Sequence, residues 1–352
     1  MTDWLSPMKQ TFEYYTVDPG TWKDVKRIDS ITSATISRDS SADTLGSATF
    51  EIGESIGETY VRTYLVTVQN GITERHPLGT HLVQTPSKSF DGMVSSYSLD
   101  AYTPLIELKE KQPPLGYFTP EAANVMTEVS KITKGNLRAP VVAASSDVKV
   151  YKDFVANTDD TWITYLNDLM ANAKFYFDID EQGNIMFAPQ RNLKSLQPIW
   201  TFDDGNSSIL QPSVSYEEDL YGIPNVVEVV YSDSSRYLVS RVVNDDPNSP
   251  TSTVKRGREI PHRETNPDFS GLPSQHMLDE YAEQLLESLS TVTCTVSYTH
   301  GYCPVRLGDC VRLNYTRAGI TDVKALVTSQ SIKCEPGTPV SEKAVFTKKL
   351  WG

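Results

Sequence analysis

The chain has 352 residues (39.2 kDa), of which 39% are hydrophobic and 22% charged, and its 32 Lys and Arg against 45 Asp and Glu leave a formal charge of −13. This length accommodates two or three packing units and buries enough surface to fold without a metal or disulfide framework. The acidic balance argues against a tight grip on nucleic acid or anionic membranes, because both rest on cationic side chains.

No apolar run approaches 18 residues, so no membrane-spanning helix or membrane anchor is expected. Met1–Pro7 lacks the basic start and apolar core of a secretory signal. Residues 1–27 read as an N-terminal arm carrying Trp4, Phe12, Tyr14, Tyr15 and Trp22. Ala48, Phe50 and Ile52 then alternate with Thr49 and Glu51, a period of two with one dry face. Tyr64, Val66 and Val68 repeat the pattern and run into Asn70-Gly71, a type I′ hairpin signal. With Leu82-Val83 and the Tyr97, Leu99, Ala101 face, residues 28–112 form one antiparallel β domain.

Gln112-Pro113-Pro114 ends that domain and opens a small α+β unit over 113–198. Its first helix is expected to start with Thr119 as cap and Pro120 at the first position, to bury Val125, Met126, Val129 and Ile132, and to end at Gly135. A second helix near Asp159-Asp160 presents Trp162, Leu166, Leu169 and Met170. It leads into a hairpin of Phe175, Phe177 and Ile179, a turn at Glu181–Asn184, then Ile185 and Phe187.

Residues 199–352 return to β structure. Val227, Val229 and Tyr231 alternate, and Tyr237–Val243 returns after a turn at Ser232–Ser235. Residues 244–271, rich in Pro, Asn, Asp, Ser and Thr, read as a long exposed loop. A helix follows with Leu278, Tyr281, Ala282, Leu285 and Leu289 on one stripe. The last strands are Cys294–Tyr298, Val311–Tyr315 and Val323–Ile332, with a tight turn at Leu307-Gly308-Asp309 and a short tail from Phe346 to Gly352.

Catalytic templates fail on residue supply. Cys294, Cys303, Cys310 and Cys334 form no C-x-x-C pair, so reduced strand cysteines, made and kept in a cytoplasm, are expected rather than a zinc site. His76 and His81 flank an expected turn without a third ligand, and His300 with Cys303 is the sole Cys–His pair in reach of one turn. The acidic groups Asp203-Asp204, Glu217-Glu218-Asp219 and Asp245-Asp246 lie in loop-like contexts, and Asp178-Ile179-Asp180 lacks the distal Glu of a calcium loop. No phosphate-loop, dinucleotide, zincin or nucleophile-elbow motif occurs. No catalytic, cofactor-binding or metal residue is assigned, and the chain reads as a structural protein, not an enzyme.

Arg75–Thr80, Tyr97–Leu105, Ala173–Pro189, Asn225–Val230 and Val305–Val311, in that order, resemble recurring segments of bacteriophage tail hub and baseplate hub proteins, over about 28–345. The resemblance implies a mainly β chain: two tail-tube-like antiparallel β-barrel domains (28–112 and 199–352) with the α+β helix–hairpin unit 113–198 inserted. It implies a homotrimer whose six tube-like domains match a hexameric tail-tube ring, with the distal tail protein, the tape-measure protein and a central spike or fibre as partners. It further implies passage of phage DNA through the ring, and a place at the virion tail tip after assembly in the bacterial cytoplasm. Fibre or wall-degrading modules are expected on separate chains. The alternatives are a tail protein that binds a host-surface carbohydrate or receptor, and a peptidoglycan-degrading tail enzyme. The acidic charge suggests a channel wall that repels DNA, and the aromatic arm and loop 244–271 are the expected interface pieces.

Overall fold

A computed structural model describes residues 2–93, 95–205, 208–269 and 271–351. Two compact units share the chain: Met1–Val214 with Ser297–Ala344, and Ser215–Val296 with Val345–Gly352. The first unit takes strands from both ends of the chain, because strands distant in sequence pair with one another. In chain order the elements are β1 (Lys9–Val17), β2 (Asp24–Arg27), β3 (Ile31–Asp39), β4 (Gly46–Ile52), β5 (Thr59–Gln69), β6 (Ile72–Phe90), β7 (Ser95–Tyr102), α1 (Ile106–Glu110), β8 (Phe118–Thr119), α2 (Val125–Asn136), β9 (Phe154–Val155), α3 (Trp162–Ala171), β10 (Phe175–Ile179), β11 (Ile185–Pro189), β12 (Trp200–Asp203), β13 (Leu210–Glu218), β14 (Val226–Ser232), β15 (Tyr237–Val243), α4 (Thr253–Arg256), β16 (Pro261–Thr265), α5 (Gln275–Leu289), β17 (Thr291–Gly301), β18 (Cys310–Tyr315), β19 (Ile320–Lys333) and β20 (Pro339–Lys349).

In the first unit the sheet runs β19-β3-β4-β7-β6-β5-β1-β2, extended past β19 by the parts of β20, β17 and β13 that fall in this unit; β18 also pairs with β19, and β12 with β18. The alternation at 48–52 places Ala48, Phe50 and Ile52 in a core with Ile36, Leu65, Leu78 and Leu99. Ile332 and Val340 join that core from the far end of the chain, where Ile332 pairs with Ile36. Asn70 and Gly71, both at positive φ, close the β5–β6 hairpin between the paired Gln69 and Ile72. The segment expected as an arm is a full member of this sheet: β1 pairs with β5 from Lys9 opposite Val68 to Val17 opposite Tyr60. Tyr14 and Phe12 turn to the core, whereas Tyr15 packs on Tyr64. The alternation that makes β1 a strand is carried by aromatics.

The inserted unit buries the expected stripes of both helices, together with Phe177 and Ile185 of the β10–β11 hairpin. The start of its first helix is corrected. Thr119 lies in β8, where its hydroxyl meets the Tyr165 hydroxyl at 2.7 Å, and Pro120–Ala123 form a turn with Ala122 at φ +63°. The helix begins after Asn124, whose side chain accepts from Thr127 N, and Gly135 stands within its last turn. Likewise Thr161 caps α3, while Asp160 accepts from Asn157 N.

The second unit contains a three-stranded sheet, β15-β14-β16, with β16 parallel to β14, and the parts of β13, β17 and β20 that fall outside the first unit. Helix α5 covers one face through Leu278, Ala282 and Leu286 against Val227 and Val229. The exposed loop expected over 244–271 is corrected, apart from position 270, which lies outside the described residues. Asn244, Ser249, Thr251 and Ser252 are buried, α4 and β16 lie within the segment, and Asn244 Nδ2 donates to Ser249 Oγ at 2.8 Å. Polar side chains that bond to one another can be buried at little cost, which composition does not reveal. The C-terminal tail continues β20 to Lys349, and Leu350 packs with Ile223, Val292 and Cys294; Gly352 lies outside the described residues.

Candidate assembly surfaces

None of the sequence-level catalytic candidates is arranged for chemistry. His76 and His81 both lie inside β6, not beside a turn, and with an extra residue, Leu78, between them they stand opposite Leu65 and Val61 of β5, four positions apart on one face of the sheet. The His76 ring nitrogen Nε2 meets Thr2 Oγ1 at 3.1 Å and Thr67 Oγ1 at 3.2 Å, with Glu74 Oε2 3.8 Å away. A hydroxyl–imidazole–carboxylate relay needs hydroxyl and carboxylate on different ring nitrogens, so this crowding on one nitrogen is no relay. Cys303 and His300 are both buried, with Sγ 3.9 Å from Nδ1. Burial, and then the neighbouring Glu342 charge, push the Cys303 thiol up, the reverse of what a nucleophile needs. His300 instead belongs to a buried polar network in which Glu342 also accepts from Tyr298 and from Gln330 Nε2 at 2.7 Å.

The acidic pairs are dispersed. Asp204 binds the Arg317 backbone and guanidinium, Glu218 accepts from Lys348 at 2.7 Å, and Asp246 accepts from Asn248 N at 2.8 Å. Among the described residues no three His, Cys, Asp or Glu side chains could hold a metal ion, and no helix is long and apolar enough to cross a membrane.

The aromatic side chains of the first 27 residues are engaged within the chain. Trp4 packs edge-on to His76 and Tyr302, Tyr14 on Phe50, and Trp22 on Tyr60.

A different feature protrudes. Strand β6 pairs with β5 only as far as Val83, yet continues to Phe90 paired with β7, from Thr85 opposite Asp100 to Phe90 opposite Ser95. Residues 85–90 are exposed; β7 is backed by β4 from Tyr97 onward, and the two-stranded tip beyond it carries Phe90 and Met93, 64% and 91% exposed. Residues 85–98 contain one Lys and one Asp, and Lys88 Nζ lies 5.7 Å over the Tyr97 ring. Pro86 and Lys88 blunt the open strand edge, leaving the apolar end as the adhesive part. Sequence reading placed the Tyr97, Leu99 and Ala101 face but not residues 85–96, whose Ser, Pro, Gly and charged positions leave no dry face.

No protein-family model and no curated protein matches the chain. Solved structures do. The tail protein from Neisseria meningitidis is similar over 97% of this chain and 98% of its own, at 14% identity and a TM-score of 0.60. The 43 kDa tail protein of prophage MuSo2 from Shewanella oneidensis is similar over 96% and 98%, at 12% identity and a TM-score of 0.62. The fold is that of phage tail proteins. A chain of the Francisella PdpA–VgrG complex is also similar, over 96% of this chain and 58% of its own, at 8% identity and a TM-score of 0.53. These likenesses agree with the mainly β fold and with the tail-protein resemblance of the sequence segments.

Proposed function

We propose that the chain is a structural hub of a phage tail tip, without catalytic activity. Three copies form a ring that closes the tail tube, joins it to a spike or fibre and to the tape-measure protein, and leaves a channel for the genome. In this reading the chain acts in the virion, after assembly in the host cytoplasm. Residues 28–112 and 199–352 act as two tube-like domains, so that three chains offer six positions to a hexameric ring. Net charge −13 suits a channel wall that repels phosphate, since carboxylates within about 8–10 Å of a duplex are felt at physiological salt.

The observation that carries the reading is the ribbon 85–98 on a fold shared end to end with two tail proteins. An acidic chain repels its own copies, and a ribbon with one charge of each sign is where two copies can approach. A head-to-tail contact of that kind closes into a ring of three when each copy is turned by a third of a full rotation from the last. The test is sedimentation of the full chain beside a variant in which residues 90–95 are replaced by Asn-Gly between the paired Ser89 and Ser96. The proposal expects a trimer that dissociates in the variant while the variant's thermal transition persists. A full chain that stays monomeric at every concentration would overturn the reading.

A further inference from the structure

The β10–β11 hairpin meets the β-sheet around a cavity of about 50 Å³, lined by Arg38, Thr80, His81, Thr103, Glu181 and Arg306 among others. Nearly every polar group there is engaged. Arg38 donates to Gln330 Oε1 and to the Leu78 carbonyl, Thr80 to the Gln182 carbonyl, Thr103 to the Thr44 carbonyl, and Arg306 pairs with Glu181 at 2.8 Å. His81 is the exception. It is 3% exposed, and its Nδ1 has no hydrogen-bond partner among the described residues. Burial, and then the Arg38 charge, hold its pKa down at about 3, so the imidazole is neutral and offers one donor and one acceptor.

The lining restricts what can meet the His81 ring. Among the described residues no three ligand side chains stand together for a metal ion, and around the cavity the Asp178, Asp180 and Glu181 carboxylates outnumber the Arg38 and Arg306 cations, which disfavours an anion. An apolar guest would strand the polar lining. Water fits on size, since one molecule needs roughly 10–15 Å³ measured in this way, and on chemistry, since it both donates and accepts. We infer that this cavity is a binding site for a small cluster of ordered water molecules, one bonded to His81, bridging the sheet to the inserted hairpin. The inference does not depend on the assembly proposed above.

Two measurements on the full chain at pH 8 test it. A crystal structure at a resolution that resolves solvent is expected to show density within hydrogen-bond distance of the His81 ring. Thermal unfolding is expected to show a fall of several degrees for His81→Leu, which takes a partner from the water, and a smaller fall for His81→Gln, which keeps a donor and an acceptor. A cavity without solvent density, or a His81→Leu variant as stable as the parent or more so, would overturn the inference. The second result is what removing an unpartnered nitrogen from a dry cavity produces.

Discussion

The indole Nε1 of Trp22 donates to the backbone carbonyl of Gln182 at 2.8 Å, joining the β1–β2 turn to the tip of a hairpin 160 residues away. Arg62 Nη2 and Thr80 Oγ1 donate to the same oxygen at 3.0 and 2.9 Å. On the other side of the tip, Arg306 donates to the Ile179 carbonyl at 2.6 Å and pairs with Glu181. The inserted unit is thus fastened to the sheet through backbone carbonyls of one turn.

Gly183 makes that approach possible. It sits at φ +80°, and a Cβ there would lie 2.7 Å from the Thr80 Cβ. Gly183→Ala combines left-handed backbone strain with a clash against a β-branched side chain held by its own hydrogen bonds. A loss of about 2 kcal/mol or more is expected, read as a fall of roughly 3–4 °C or more in thermal unfolding.

Arg62 is the charged member of the clamp, buried, with Nη1 2.8 Å from Asp24 Oδ1 and Nε 2.9 Å from Thr80 Oγ1. Arg62→Met leaves Asp24 without its cation and Gln182 short of a donor. Because Asp24 keeps the Tyr64 hydroxyl at 2.8 Å and is partly exposed, a loss of about 2–3 kcal/mol is expected in denaturant unfolding. Arg62→Lys restores charge but not the fork of donors, and is expected to recover less than half of it.

The pH dependence follows from burial. His81 is held at about 3 in the folded chain, below the ordinary 6.5, so its contribution to stability is whole above pH 6.5 and is lost as pH falls through that window. The slope approaches about 1.4 kcal/mol per pH unit, or about 2 kcal/mol between pH 6.5 and 5. Burial raises the Asp178 and Asp309 carboxyls, so their contributions run the other way, present at acid pH and lost as pH rises through their folded values. Comparing stability at pH 7 and pH 5, His81→Gln is expected to lose about 2 kcal/mol less than the parent chain.

All four cysteines are free and buried. Burial pushes Cys334 up to about 12 and raises Cys303 and Cys310 as well. A thiol-exchange reagent at pH 8 is expected to titrate none in the folded chain and all four in denaturant. Rapid reaction of Cys303 alone would point to an accessible Cys–His pair instead.

Local periodicity carried much of the fold. Ala48, Phe50 and Ile52, the Asn70-Gly71 turn, the β10–β11 hairpin and the α5 stripe each depend on neighbours within a few residues. The pairing of Ile36 with Ile332 leaves no local trace, so the division into units was not legible. Nor was the interior of 244–271, where Asn244, Ser249 and Thr251 satisfy one another. The clamp was hidden for a further reason: its acceptor is a peptide carbonyl, which every residue possesses.

The central claim is tested most directly by cryo-electron microscopy of the tail that contains this chain. The account predicts three copies in one ring at the tip, each with its 85–98 ribbon against a neighbouring copy. A single copy, or copies whose ribbons touch no other chain, would contradict it.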